Sequence, residues 1–365
     1  MQNSRMNIVY VCAYSDNITG GVRSVVPQYL KYMSRVANVY IFSFRKIKFN
    51  CSQEKYYQIK TQKELRKKLR IIDIVVFHEV YYFEYYLLAN YLHRSKVPYI
   101  VIPHCSLTTG AQKQKKHIKK IINKFWVDNF IRQALAVQYL SDCEKEASKA
   151  FETKTLVIPN GIIASHMGTK RYYDHNSVEF VFIGRLSVNQ KGLDVLVEAC
   201  QLIKNKLIEN NVHINLYGTD FEGGKNYLQK KIRKYGLESH VLLHAPVYGD
   251  DKQRVLLKSD VYILTSRFEG LPIGILEAMQ AGIPVLVTPG SGFYEVVKKE
   301  NCGWCTECCP DAIADAVLKV LEQRNQWESM SVNAVWTVNS YYVWDKVAAM
   351  TKQKYEKLLW TNIRE

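Results

Sequence analysis

FVFIGRLSVNQKGLDVLVEA, Phe180 to Ala199, reads as one complete strand-to-helix unit. A short apolar run ends at Gly184-Arg185, and after a polar loop Lys191-Gly192 opens an amphipathic stretch. The same alternation extends outward in both directions. Around this unit, Val178 to Ile183, Val212 to Tyr217, Val241 to His244, Val261 to Leu264 and Pro284 to Val287 read as strands. Earlier in the chain, Asn7 to Tyr14, Val39 to Ser43, Ile72 to His78, Pro98 to Pro103, Ala134 to Leu140 and Thr155 to Ile158 do the same. Helical stretches such as Val22 to Met33 and Lys113 to Gln133 lie between them. Continuous apolar strands alternating with helices predict parallel sheets covered on both faces.

The pattern occurs twice, and 365 residues suit two domains. Ala164 to Ser177, ASHMGTKRYYDHNS, has little apolar periodicity and reads as the linker, while Tyr341 to Trp360 reads as a terminal helix. The expected architecture is α/β, with two Rossmann-like domains facing across a cleft. Residues 1–165 form the first, with a helix at about 341–365 packing back on it, and 170–340 form the second. Ligands of such sheets bind beyond the carboxyl ends of the strands, at switch points.

Charge is unevenly placed. Residues 1–165 hold 26 Lys+Arg against 11 Asp+Glu, whereas 166–365 hold 24 against 23. A surface so basic attracts phosphates, whether of lipid, of a pyrophosphate-linked acceptor or of nucleic acid. No nucleic-acid module is recognisable, and that partner is not expected. The apolar stretch Ile8 to Ala13, soon interrupted by Asp16, is too short for a signal sequence or a membrane span. Nine cysteines, an odd number, fit reduced thiols in a cytoplasmic protein. Cys302, Cys305, Cys308 and Cys309 have ligand-like spacing, so a zinc site and plain thiols are both compatible with the sequence, the thiols being expected.

FEGLPIGILEAMQAGIP, Phe268 to Pro284, carries the most chemistry. Pro272 suits a first helical position and Gly282 a stop, predicting a helix from Pro272 to about Gln280. A helix N-terminus with Gly270 and Gly274 nearby suits a diphosphate, a carboxylate at Glu277 suits a ribose diol, and Glu269 suits sugar hydroxyls. A capped amphipathic helix with two solvated glutamates is the plainer reading. Arg185 and Lys191, both beyond one strand's carboxyl end, are what a leaving nucleoside diphosphate needs, or else a solvated basic turn. In Lys113 to Gln133, Ile118, Ile121, Ile122, Phe125 and Trp126 share one face, and Lys116, Lys120 and Lys124 line the other. That pattern suits a core helix with a solvated basic face. It also suits an element facing anionic lipid, with Lys116, Lys120, Lys124, Phe125 and Trp126 at the membrane.

These residues together resemble glycosyltransferase family 4. Glu269-Gly270-Leu271-Pro272 through Glu277 is similar to the E-x7-E motif of retaining GT-B enzymes, and Gly184-Arg185-Leu186, Lys191-Gly192, Tyr217-Gly218 and Gly282-Ile283-Pro284-Val285 follow the family's order from Val178 to about Leu321. The resemblance implies that Arg185 and Lys191 bind the donor diphosphate, that Glu277 holds the ribose and that Glu269 contacts the donor sugar. Thr19-Gly20-Gly21-Val22 matches a glycine loop that approaches the donor phosphate, and Pro159-Asn160-Gly161 matches the strand end before the linker. His104 matches a histidine near the reaction centre; a structural role is equally open there. Catalytic candidates are therefore His104, Glu269, Arg185 and Lys191. Donor-binding candidates are Gly20, Gly21, Gly218, Val247, Tyr248, Gly270, Leu271, Pro272, Gly274 and Glu277, with Val247-Tyr248 and Tyr217-Gly218 lining the base.

The expected function is transfer of a hexose-type sugar, with retention, from a nucleotide sugar to a polyprenyl-pyrophosphate-linked glycan in surface polysaccharide assembly. UDP is the expected nucleotide and GDP the fallback. No Asp-x-Asp pair occurs, so neither metal nor other cofactor is expected. The protein is expected at the inner face of the cell membrane, peripherally bound. A nucleotide-sugar epimerase, a glycosidase using Glu269 and Glu277, and a non-catalytic nucleotide-sugar-binding scaffold are the rivals.

Overall fold

A computed structural model describes residues 5–12, 21–44, 56–164 and 176–364. The chain divides into two compact units, Met1–Gly161 with Val343–Glu365, and Ile162–Tyr342. Most of the linker stretch, 165–175, lies outside the described residues.

In the first unit the strands are β1 (Asn7–Cys12), β2 (Asn38–Ser43), β3 (Tyr56–Ile59), β4 (Ile74–His78), β5 (Tyr99–Ile102), β6 (Ala136–Tyr139) and β7 (Thr155–Val157). They form one parallel sheet in the order β3-β2-β1-β4-β5-β6-β7. The order reverses between β1 and β4, whose register pairs Ile8 with Ile74 and Val11 with Phe77. Helices α1 (Gly21–Val36) and α2 (Phe83–Arg94) belong to the connections. The core is aromatic: Phe77 meets Phe130 edge-on at 5.2 Å, and the Tyr99 hydroxyl donates to the Phe130 carbonyl at 2.7 Å.

The C-terminal helix, Trp344–Arg364, is part of this unit for identifiable reasons. Trp344 packs its indole on Tyr29 at 4.8 Å, the fully buried Tyr355 donates to the Gln138 side chain, and Lys354 donates to the Val157 carbonyl. Gly161 leaves room for Trp344, since a Cβ there would sit 2.5 Å from the indole.

The stretch Lys113 to Gln133 departs from the single amphipathic helix that its spacing predicts. Lys115 adopts a left-handed backbone, φ 51°, so the helix proper begins at α3 (Lys116–Ile122). Asn123–Val127 then winds as a π-turn before Asp128–Arg132 resumes as α-helix. Local insertions of this kind rotate a helix face. Val127, Phe130 and Ile131 turn inward, whereas Ile118, Ile121 and Phe125 are 59%, 62% and 62% exposed. The core-helix reading of this stripe is thereby overturned, because the residues that defined it are largely outside the core. A short helix, α4 (Asp142–Ala147), follows β6.

In the second unit β8 (Val178–Ile183), β9 (Val212–Tyr217), β10 (Val241–His244), β11 (Val261–Leu264), β12 (Val285–Val287) and β13 (Gly303–Cys305) form a parallel sheet in the order β10-β9-β8-β11-β12-β13. Here the reversal lies between β8 and β11. The helices that matter below are α5 (Val188–Lys191), α6 (Leu193–Leu202), α7 (Gly249–Lys258) and α8 (Ile273–Gln280). No helix among the described residues is long and apolar enough to cross a membrane.

Candidate functional site

The loops that leave β8 and β11 arise from neighbouring strands at the point where strand order reverses, where such sheets take ligands. They are locked together. Gly192 is left-handed at φ 62°, and a Cβ would lie 2.1 Å from the Thr265 carbonyl oxygen. Thr265 Oγ1 returns the contact, donating to the carbonyls of Lys191 and Gly192 at 3.1 and 3.2 Å. Arg267 completes the strut: its guanidinium forks onto Asp194 with two 2.8 Å bonds and also donates to the Asn189 carbonyl at 3.0 Å.

This scaffold fixes a buried ion pair. Lys191 Nζ lies 2.5 Å from Glu269 Oε1, and Ser266 Oγ donates to the same oxygen at 2.9 Å. Both charged side chains are about one-tenth exposed. Three residues on, Pro272 is the N-cap of α8 and offers no side-chain acceptor, so the helix starts without a side-chain cap. Leu271 and Gly270 are buried beneath that end. Gly274 serves packing, because a Cβ would come 2.4 Å from the Tyr262 hydroxyl, which itself donates to the Ile183 carbonyl. Gly218 is likewise required by closeness, its Cβ position being 1.8 Å from the Gly184 carbonyl oxygen.

Glu277, half-buried on α8, meets Lys252 of α7, whose Nζ lies 2.6 and 2.5 Å from its two oxygens. Burial raises the Glu277 pKa, and Lys252 opposes the rise. Arg185 stands apart from both pairs: it is exposed, stacks over Phe221 at 4.8 Å and reaches Gln190 at 3.4 Å. At the ends of β9 and β10, Tyr217 and His244 stack at 4.2 Å, and His244 bonds Asn215 at 2.8 Å. Val247 is half-buried, and Tyr248, 64% exposed, caps α7.

In the first unit, His104 follows β5 and contacts His78 at 2.8 Å. Gly20 lies outside the described residues, and Gly21 opens α1. The cysteines of the Cys302 cluster aim apart: Cys305 bonds the Tyr294 carbonyl, Cys308 the Thr265 carbonyl, and Cys309 is exposed. Among the described residues no three His, Cys, Asp or Glu side chains group as metal ligands.

Four residues of this chemistry escape a reading of the sequence: Lys252, Arg267, His78 and Glu144. Only Glu144 carries a local signal, as the last residue of a capping box, Ser141-Asp142-Cys143-Glu144, in which Ser141 Oγ accepts the Glu144 N–H.

Comparison with known proteins gives consistent results. Residues 171–335 match the family described as glycosyl transferases group 1. An uncharacterized glycosyltransferase of Methanocaldococcus jannaschii is 26% identical over 80% of this chain and 78% of its own length. The UDP-Gal:alpha-D-GlcNAc-diphosphoundecaprenol alpha-1,3-galactosyltransferase of Escherichia coli is 28% identical over 47% of this chain; the match spans about half of that relative, 46%. Among solved structures, Anabaena HepE in complex with UDP and glucose superposes with a TM-score of 0.68 at 16% identity, covering 96% of this chain and all of that one. The fold is GT-B.

Proposed function

We propose, from the premise that the chain belongs through its second unit to the glycosyl transferases of group 1, that it transfers a hexose-type sugar from a UDP-sugar to a lipid-linked glycan in surface polysaccharide biosynthesis. The observation that carries the reading is the uncapped N-terminus of α8 beside the buried Lys191–Glu269 pair, with Glu277 inside the same helix. The helix N–H groups and Lys191 receive the diphosphate, and Arg185 adds a second cation. Glu277 accepts the ribose diol once Lys252 yields it. Glu269 holds the donor sugar; His104 is the first unit's own candidate for a sugar contact. As the glycosyl bond breaks, these fixed donors and cations meet the charge building on the leaving diphosphate, a role a divalent metal would otherwise fill. The acceptor hydroxyl attacks on the face the diphosphate leaves, and a departing phosphate oxygen takes its proton, retaining configuration. A structural neighbour solved in complex with UDP and glucose and a relative named for a diphosphoundecaprenol acceptor support the choice of donor and acceptor.

A melting-temperature panel tests the donor class. UDP at about a hundred times its dissociation constant should add about 2.7 kcal/mol of stability, and GDP, ADP and CMP at equal concentration much less. A response to GDP alone reassigns the nucleotide; no response to any removes the donor reading.

The acceptor reading extends to the membrane. The first unit holds 31 Lys+Arg against 14 Asp+Glu, and the second 19 against 20. On α3 and the π-turn, Ile118, Ile121, Phe125 and Trp126 are exposed together with Phe83 and Leu87 of α2, and the Phe83 and Trp126 rings meet at 4.9 Å. Lys116, Lys120 and Lys124 of the same stretch are exposed. An apolar patch edged by lysines suits an anionic bilayer, each lysine contributing about 1 kcal/mol near the surface. Flotation with phosphatidylglycerol-containing vesicles should recover the protein, and changing all three lysines to glutamine should weaken binding about a hundredfold. Equal recovery with neutral vesicles, or no effect of the triple change, sinks the membrane assignment.

A further inference from the structure

Two central strands of the first unit end on histidines that meet. His78 closes β4, and His104 lies two residues beyond β5. Their nitrogens, Nδ1 of His78 and Nε2 of His104, are 2.8 Å apart. The ring centroids are 5.1 Å apart with planes 21° from parallel, as two imidazoles sit edge to edge across one hydrogen bond. His78 is fully buried between Tyr10 and Tyr29, and its Nε2 has no hydrogen-bond partner among the described residues.

Burial pushes both imidazoles down, His104 to about 4, so both are neutral near pH 7 and share one proton at the contact. Two arrangements are possible. If His104 Nε2–H donates, the proton of His78 must sit on Nε2, a buried donor with no protein partner among the described residues. If His78 Nδ1–H donates, only a lone pair is stranded, and the proton of His104 moves to Nδ1. Stranded buried N–H groups are the rarer and costlier case. The second arrangement is favoured.

The backbone around His104 is held as firmly. His104 and Cys105 are both left-handed, φ 49° and 69°, and neither is glycine. Strain of this kind persists only where surroundings over-determine it. Glu144, fully buried on α4, supplies that restraint: one carboxylate oxygen accepts the Cys105 N–H and the other accepts the Leu140 N–H at 2.7 Å.

We infer that His78 is a positioning residue that fixes His104 as the Nδ1–H tautomer, a hydrogen-bond donor to a sugar hydroxyl, while Glu144 holds the strained turn that carries it. The inference rests on the transferase reading for the sugar, but not for the tautomer. With Nε2 occupied as an acceptor and Nδ1 protonated, His104 donates and does not act as a general base.

The test has two arms. In protein labelled with 15N-histidine, two-bond proton–nitrogen correlation at pH 7, with His104 assigned by its loss in His104→Gln, should place the proton of His104 on Nδ1. A proton on Nε2 overturns the inference. In the second arm, His78→Asn retains an amide donor near Nδ1, and His78→Leu retains bulk without one. His78→Leu should lower kcat/KM about 10- to 100-fold with UDP affinity unchanged, and His78→Asn should recover most of the loss. Equal rates in the two variants overturn it. An inactive wild type with the Nδ1–H tautomer intact would instead count against the transferase reading, since the first arm needs no substrate.

Discussion

Lys191→Met should slow sugar transfer by about 10²- to 10³-fold, the usual loss when one fixed stabiliser of transition-state charge is removed. The reason is placement. Lys191 is held by the Thr265 and Arg267 contacts on the turn beside the α8 N-terminus, so its ammonium is in position before charge develops. A preorganised charge costs no reorganisation at the moment of bond breaking, and the loss should appear mainly in kcat. The same change also strips Glu269 of its partner. Breaking a buried pair from one side typically destabilises by about 3–5 kcal/mol, and here the Ser266 hydroxyl remains to lessen the cost. Stability and turnover can be separated by adding Glu269→Gln, which removes the stranded charge. The double variant should regain most of the lost melting temperature and stay slow. Wild-type turnover in folded Lys191→Met would remove Lys191 from the chemistry.

How much of this is legible in sequence depends on the range of the interaction. Val178 to Ile183, Val212 to Tyr217, Val241 to His244 and Val261 to Leu264 are strands at the boundaries their apolar runs predict. Val261 to Leu264 is buried and apolar throughout, whereas Val212 to Tyr217 buries every second residue, and each pattern is a local one that marks its own ends. Position at the sheet edge does not decide legibility, since β10 at one edge is read and β3 at another is not. β3 passes unread because Tyr57 in its middle is 62% exposed, and β13 is three residues long. The Lys113 to Gln133 stripe misleads for another reason: a period of 3.6 is assumed throughout, and a π-turn breaks it. Site partners are lost by distance along the chain. Arg267 meets Asp194 across 73 residues, and Lys252 meets Glu277 across 25; no local pattern pairs them. Glu269 and Glu277 are legible because both belong to one short helix and its entry loop.

Glu277→Ala should weaken UDP binding about a hundredfold or more, since two hydrogen bonds to a charged acceptor contribute about 1.5–3 kcal/mol each. The effect is specific to the diol. UDP lacking both ribose hydroxyls should bind wild type weakly and lose little further in the variant, a cycle in which the ligand supplies the second mutation. An equal loss for both ligands would place Glu277 elsewhere than at the ribose. Lys252 sets the competing state, because its Nζ bonds the carboxylate that the ribose must take. Lys252→Met therefore removes a competitor, yet it leaves a half-buried carboxylate uncompensated, so its net effect on UDP affinity should be smaller than that of Glu277→Ala. Acidification supplies the remaining check. On the proposed reading the ribose takes the ionised carboxylate, and burial raises the Glu277 pKa above that of an ordinary glutamate against the pull of Lys252. Affinity for UDP should accordingly fall as pH drops, beginning at a higher pH than an ordinary glutamate would give, and Glu277→Ala should lose that part of the pH dependence. An unchanged pH profile in the variant would mean that some other group governs nucleotide binding.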